Sequence, residues 1–166
     1  MAITKAKKKE IVEKLTNIFS KAPSAAFVKF GKLTVAQANT LRRALKEKGV
    51  GYYVAKKTLI RRALENKKFA GEIPLLDGEV AVAYLTDAKG DTLAPAREVS
   101  VFTKKFEKAV ELIGGIFDGA LVGQPDALAL ALIPPRETLL AQFANLVNSP
   151  IQRFVIGLNE ISKIKR

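Results

Sequence analysis

Cysteine and histidine are both absent from this chain of 166 residues. Without cysteine there is no disulfide framework and no thiolate metal site. Without histidine the chain lacks the usual general base, the usual activator of a nucleophile and the commonest metal ligand. Catalysis would have to run on carboxylates or lysine, and the acidic residues are scattered without an evident dyad. Phosphate loops of the form GxxxxGK(S/T), the dinucleotide pattern GxGxxG and metal-ligand spacings are missing too. No metal and no cofactor are expected, and the chain does not read as an enzyme. No stretch is long and apolar enough to span a membrane. The opening MAITKAKKKEIVEKL lacks the apolar run of a secretory signal, and it carries Glu10 and Glu13 but no arginine, unlike a transit peptide. Together these features read as a cytoplasmic chain.

What is present is a segregated charge. Hydrophobic residues make up 48% of the chain, enough for a real core. The formal net charge is +12. Residues 1–70 hold 18 of the 28 Lys and Arg and 4 of the 16 Asp and Glu, a local net of +14. Residues 71–166 carry a net of −2. A charge serving solubility alone has no reason to gather at one end, so one part of the molecule is suited to a polyanion.

Periodicity predicts a helix over 4–21, with Ile11, Leu15, Ile18 and Phe19 on one face. A strand follows at Ser24–Phe30, then a helix capped by Thr34 and running to about Lys48, with Gly49 at its end. Val50–Ala55 reads as a second strand, and Thr58 as the cap of a short helix to about Glu65. Further strands are expected at Glu79–Leu85 and Val110–Phe117, the latter bent or bulged at Gly114-Gly115. Between them a helix should open at Asp91 or Thr92 and run to about Glu107; a short one starts at Pro125. This alternation predicts an α/β fold, an α+β sandwich with helices on both faces of a small sheet. Pro134-Pro135 is a stop that divides a globular domain, 1–133, from a C-terminal helical spine, 134–166. An interruption of that helix is expected near Pro150.

Two constellations could carry function. The first is a set of basic residues at helix starts. Lys5, Lys7, Lys8 and Lys9 precede the first helix, Lys32 precedes the second with Thr34 as its cap, and Lys56 and Lys57 precede the third, with Thr58 and Arg61 beyond. Helix N-termini bind phosphate through free N–H groups and a partial positive charge. Loops after strands of a doubly wound sheet lie at one edge, so Lys32 and Lys56-Lys57 should converge. Tyr52 and Tyr53 could supply a stacking ring, or could belong to the core. The second constellation is an apolar stripe on the last helix. Leu139, Leu140, Phe143, Leu146 and Val147 precede Pro150, and Ile151, Phe154, Val155, Leu158 and Ile161 follow it. Such a stripe either folds back on its own domain or docks an external partner. Two rivals remain open: a small α/β transferase acting on an anionic substrate through Lys56 or Lys57, and a peripheral membrane protein using 4–21.

The segment Phe30-Gly31-Lys32-Leu33-Thr34-Val35-Ala36-Gln37, with Leu41-Arg42, Gly49-Val50 and Val54-Ala55-Lys56-Lys57-Thr58-Leu59, resembles the bacterial large-subunit ribosomal protein ten family, found at the base of the ribosomal stalk. Ile133-Pro134-Pro135-Arg136-Glu137-Thr138-Leu139-Leu140-Ala141-Gln142 is similar to that family's C-terminal segment. The family often has Arg where Lys32 stands and Asn where Lys57 stands. The resemblance implies that the first domain binds large-subunit ribosomal RNA beside large-subunit protein eleven. It implies that the C-terminal helix carries dimers of the acidic stalk protein, which recruit GTP-bound translation factors. Division of the stripe at Pro150 predicts two dimers.

Overall fold

The central sheet is antiparallel, and its strand order puts the third strand in the middle of a pair that would otherwise be neighbours. The structure is a computed structural model and describes residues 4–31, 33–67, 69–71, 74–86, 90–106 and 109–164. The elements run α1 (Lys5–Lys21), β1 (Ser24–Phe30), α2 (Val35–Glu47), β2 (Val50–Val54), α3 (Lys57–Glu65), β3 (Glu79–Leu85), α4 (Ala94–Lys105), β4 (Val110–Phe117), β5 (Ala120–Val122), α5 (Gln124–Ala131) and α6 (Arg136–Ile164). Strand order is β2-β3-β1-β4-β5, and each neighbouring pair is antiparallel. Since β3 runs against both β1 and β2, those two are parallel to each other, a split βαβ unit closed by α2.

Alternation along the strands feeds two cores, one on each face. Ala26 and Val28 of β1, and Ala83 and Leu85 of β3, face Leu41 and Leu45 of α2, Val99 and Phe102 of α4, and Ala127 of α5. Ala25 and Phe27, with Val80 and Val82, face Leu15 and Phe19 of α1 and Leu59, Ile60 and Leu64 of α3. Phe27 is fully buried and meets the Phe19 ring edge-on, centroids 6.3 Å apart. Burying a ring of this size contributes about 1.5–3 kcal/mol. The expected α/β sandwich with helices on both faces is the fold observed.

Several details depart from expectation. The sheet is antiparallel where a doubly wound one was assumed; alternation of strands and helices carries no information on strand direction. β5, at three residues, is too short to show a period. The third helix is capped at Lys56, without a side-chain cap bond, so Thr58 sits inside its first turn. α6 is helical across Pro150, where an interruption was expected. Proline removes one backbone bond and crowds the preceding turn, and the helical runs on both sides carry the chain through. The fourth helix begins at Ala94, because Asp91 turns the chain by accepting a bond from the Leu93 N–H at 3.0 Å. The expected end of this helix at Glu107 lies outside the described residues.

The two glycines of β4 have separate reasons. β1 and β4 slip register between Phe27 and Val28, opposite Gly114 and Leu112, so Ile113 is an extra, bulged residue. The slip switches parity: Val110 and Leu112 share a core with Phe117, while Ile113 and Ile116 join the other. A Cβ on Gly115 would lie 2.6 Å from the Phe117 ring and 2.7 Å from the Ala25 carbonyl oxygen. One on Gly114 would lie 2.5 Å from the Val122 carbonyl oxygen, in the pairing with β5.

The chain divides into two compact units, 1–133 and 134–166. Within the first, Arg97 donates through Nε to the Ile133 carbonyl at 2.9 Å and through Nη1 to Asp91 at 2.7 Å. Partial burial works against ionisation of Asp91, but the bonds from Arg97 and the Leu93 N–H outweigh it and hold the carboxyl below its ordinary range.

Gly115→Ala should destabilise the first unit by about 1–3 kcal/mol, because backbone and a packed ring must both move. Urea denaturation checks this; a loss under about 0.5 kcal/mol, the usual range for a neutral surface change, would contradict the close approach.

Candidate functional sites: a basic sheet edge and an apolar helix

Parallel β1 and β2 end at the same edge of the sheet, and each delivers its chain into a helix. Phe30 at the end of β1 pairs with Glu79, and Val54 at the end of β2 with Ala81, both at the start of β3. α2 and α3 therefore start at this edge. α1 starts there too. Its C-terminal end lies beside that of α3, where Lys67 Nζ donates to the Phe19 carbonyl at 3.3 Å. The same end of α1 flanks Tyr84, Leu85 and Thr86, at the far edge of the sheet. About 17 residues of helix match the length of a seven-residue strand, so the first turn of α1 returns to the Phe30 edge.

Three helix N-termini thus share one edge, and none of the three has an acidic residue in its first turn. The partial positive charge of these helix starts therefore meets no carboxylate from within its own first turn. Lys7, Lys8 and Lys9 are exposed on the first turns of α1, and Lys5 opens it. Lys56, Lys57 and Thr58 are exposed at the start of α3. Lys56 and Lys57 join Phe30, Val54, Gly78 and the carboxylate of Glu79 around a concavity of about 370 Å³. A second hollow of about 340 Å³ is lined by Lys57, Thr58 and Arg61 with Pro74, Leu75 and Asp77. Asp77 lies 3.9 Å from Lys57, and Arg61 bonds Glu65 at 3.2 Å, so both cations have a surface counterion that a stronger anion could replace. Lys32 lies outside the described residues. The convergence expected of Lys32 with Lys56-Lys57 therefore falls outside the described residues; what the described residues bring to one edge is the starts of α2 and α3, and the split βαβ topology does so.

Thr34 has a structural task. Its hydroxyl accepts from the Gln37 N–H at 3.3 Å, and Gln37 returns the bond through Oε1 to the Thr34 N–H at 3.0 Å. This capping box fixes where α2 starts. Tyr52 and Tyr53 are each half-buried, one on each face of the sheet. Burial pushes the Tyr52 hydroxyl up to about 12, against the opposing pull of Arg42. Arg42, Asn39 and Phe30 also reach this edge, and no site reading of the sequence included them. A signal exists in the chain: Val35, Ala38, Asn39 and Arg42 recur at three- and four-residue spacing from the cap.

Both rival readings lose their physical basis. Lys56 and Lys57 are exposed at the rim, without the desolvation a nucleophilic lysine needs. The apolar face of α1 is committed to the core through Leu15 and Phe19, so it has no face left for lipid. Among the described residues no helix is long and apolar enough to cross a membrane.

α6 is a 29-residue helix. Its anchors Leu139, Leu140, Phe143, Leu146, Val147, Ile151, Phe154, Val155, Leu158 and Ile161 are 42–72% exposed. At about 100° per residue they fall on one half of the helix. Ile156, also exposed, lies off that half.

The family model for Ribosomal protein L10 matches residues 3–104, which include the whole basic edge. The chain belongs to the ribosomal protein L10 family. It is 38% identical to the large ribosomal subunit protein uL10 of Koribacter versatilis (strain Ellin345), over 96% of this chain and 85% of that protein. Against the uL10 of Staphylococcus carnosus (strain TM300) the identity is 30%, over 95% and 93%. Against that of Pelotomaculum thermopropionicum (strain DSM 13744 / JCM 10971 / SI) it is 33%, over 99% and 98%. Members of this family are structural constituents of the large ribosomal subunit and not enzymes, and this chain is one of them.

Thr34→Ala should cost roughly 1 kcal/mol of stability through loss of the cap, and Thr34→Ser should restore most of it. Thermal or urea unfolding reads the effect; equal stability of Ala and Ser variants would mean that the box contributes nothing.

Proposed function

We propose that residues 1–133 bind large-subunit ribosomal RNA through the basic edge, and that residues 134–166 anchor acidic stalk protein dimers. The observation that carries the first half is the meeting of three N-termini without first-turn acids beside Lys7–Lys9, Lys56, Lys57 and Arg61. Such an edge repels itself until phosphates neutralise it, and phosphate contacts dominate RNA affinity. The site assigned to RNA is Lys5, Lys7, Lys8, Lys9, Lys32, Lys56, Lys57, Thr58 and Arg61, with Thr34 positioning α2. Large-subunit protein eleven is the neighbour expected beside it, and the cytoplasm the compartment.

The second half rests on α6. A half-cylinder of apolar side chains on a helix of about 44 Å cannot stay bare in water without inviting association. Charge is sparse along it, so its partner is a protein with an apolar groove. The helix runs through Pro150, so the number of dimers follows from length. A docked helical hairpin occupies about two helix widths, roughly 16–20 Å. We therefore infer two dimers, one over Leu139–Val147 and one over Ile151–Ile161, which would recruit GTP-bound translation factors.

Binding of ribosomal RNA should weaken with salt at a log–log slope of roughly −0.7 to −0.9 per phosphate neutralised. Lys56→Ala with Lys57→Ala should lower affinity and flatten that slope; an unchanged slope removes the pair from the interface. Phe143→Asp should release one stalk dimer and Phe154→Asp the other, since a charge in an apolar groove costs several kcal/mol unless paired. Native mass spectrometry counts them, and three dimers or one would overturn the length argument.

A further inference from the structure

A concavity of about 330 Å³ opens at the same edge, under the N-terminal half of α2. Its floor is Phe30, Tyr52 and Val54, which share one face of the sheet. The residues opposite Val54 and Tyr52 on β3 are Ala81 and Ala83, too small to fill the space. Leu33 and Val35 line it from the start of α2, and Val35 is 78% exposed. Three polar side chains stand around this apolar hollow: Asn39, Arg42 and Glu79.

Those three differ in what they offer. Arginine only donates, a carboxylate only accepts, and asparagine does both. Glu79 is the informative member. A carboxylate repels phosphate, so it has no use in a phosphate clamp, and among the described residues it forms no ion pair. It is suited to accept from an exocyclic amine or ring N–H of a base. Single-stranded RNA is recognised by splaying a base out, stacking it on an aromatic side chain and bonding its edge. An aromatic floor, mixed donors and acceptors and a lysine-rich flank at Lys56 and Lys57 meet those needs together.

We propose that this concavity receives one unstacked base of the bound RNA, stacked on Tyr52 or Phe30 and read at its edge by Asn39, Arg42 and Glu79. The inference rests on the proposed RNA binding and adds base discrimination to it, since contacts to phosphate carry no sequence information.

The test uses the full-length chain and large-subunit ribosomal RNA purified from the same cells. Tyr52→Leu and Asn39→Ala should each weaken binding about tenfold, within the usual range for a stacked base, and leave the salt slope unchanged. Asn39 is exposed, so its replacement does not threaten folding, and Tyr52→Phe should bind as the parent does. Zero-length ultraviolet crosslinking should attach a nucleotide to Tyr52 or Phe30. Parental affinity in both variants, with no such crosslink, would overturn the proposal and leave the lysine interface standing. A flattened slope in Asn39→Ala would overturn it too, by showing that a phosphate occupies the hollow. Failure of the parent chain to bind this RNA at all would sink the RNA reading itself, and the base pocket with it.

Discussion

Everything at the basic edge depends on β3 lying between β1 and β2 and running against both. That placement makes β1 and β2 parallel, so the chain leaves both at one edge and enters a helix each time. α1, packed beside α3 with C-terminal ends together, adds a third start. The fold thereby aligns three helix dipoles at one edge. Its cost is electrostatic, because like partial charges and lysines are gathered where no first-turn acid offsets them. Hydrophobic burial holds the arrangement in place: Phe27, Leu15 and Ile60 are fully buried on the α1–α3 face. The ion pairs among the described residues of the edge, Lys57–Asp77 and Arg61–Glu65, are exposed and worth little, and Glu79 stands beside Lys56 and Lys57 without an ion pair among the described residues.

Much of the fold is legible in the sequence alone. Strands at Ser24–Phe30, Glu79–Leu85 and Val110–Phe117 announce themselves as short runs rich in apolar or β-branched residues, the first bounded by Pro23 and Gly31 and the second preceded by Gly78. Thr34 and Gly49 mark the two ends of α2, and Gly49 indeed adopts a left-handed φ of 70°. Direction is not legible. A period of two states that a strand exists and which side faces the core, but not which way its neighbour runs. The clue lies in what separates β2 from β3: after α3 the segment 66–78 has no helical period of its own, and β3 beyond it runs antiparallel to both neighbours.

The site divides along the same line. Lys56 and Lys57 can be found because a strand, a charge pair and a helix are consecutive in the chain. Phe30, Asn39, Tyr52 and Glu79 cannot be assembled that way, because they come from four elements and meet only when β3 is inserted. Tyr52 illustrates the difference. Its sequence neighbourhood allows core or stacking surface, and the fold answers with part of each: Tyr52 packs against the core on the α2 face and also lines the hollow. Thr34 moves the other way, from candidate contact to the residue that fixes where α2 begins.

The two units use opposite physics, and this bears on how one chain could hold two partners at once. Binding at the basic edge, on the reading proposed, is driven by release of counterions and weakens steeply as salt rises. Docking on α6, on the same proposed reading, would be driven by removal of apolar side chains from water, which salt screens little and excluded salts strengthen. A single charge-driven surface would bind a nucleic acid and an acidic protein in competition, since both would seek the same lysines. Separating the lysines of 1–70 from the apolar stripe of α6, across Pro134-Pro135, removes that competition. The near-neutral balance of residues 71–166 is then a requirement of the design. An α6 as basic as α1 would draw RNA onto the helix, and a strongly acidic one would repel an acidic partner before its apolar groove could close.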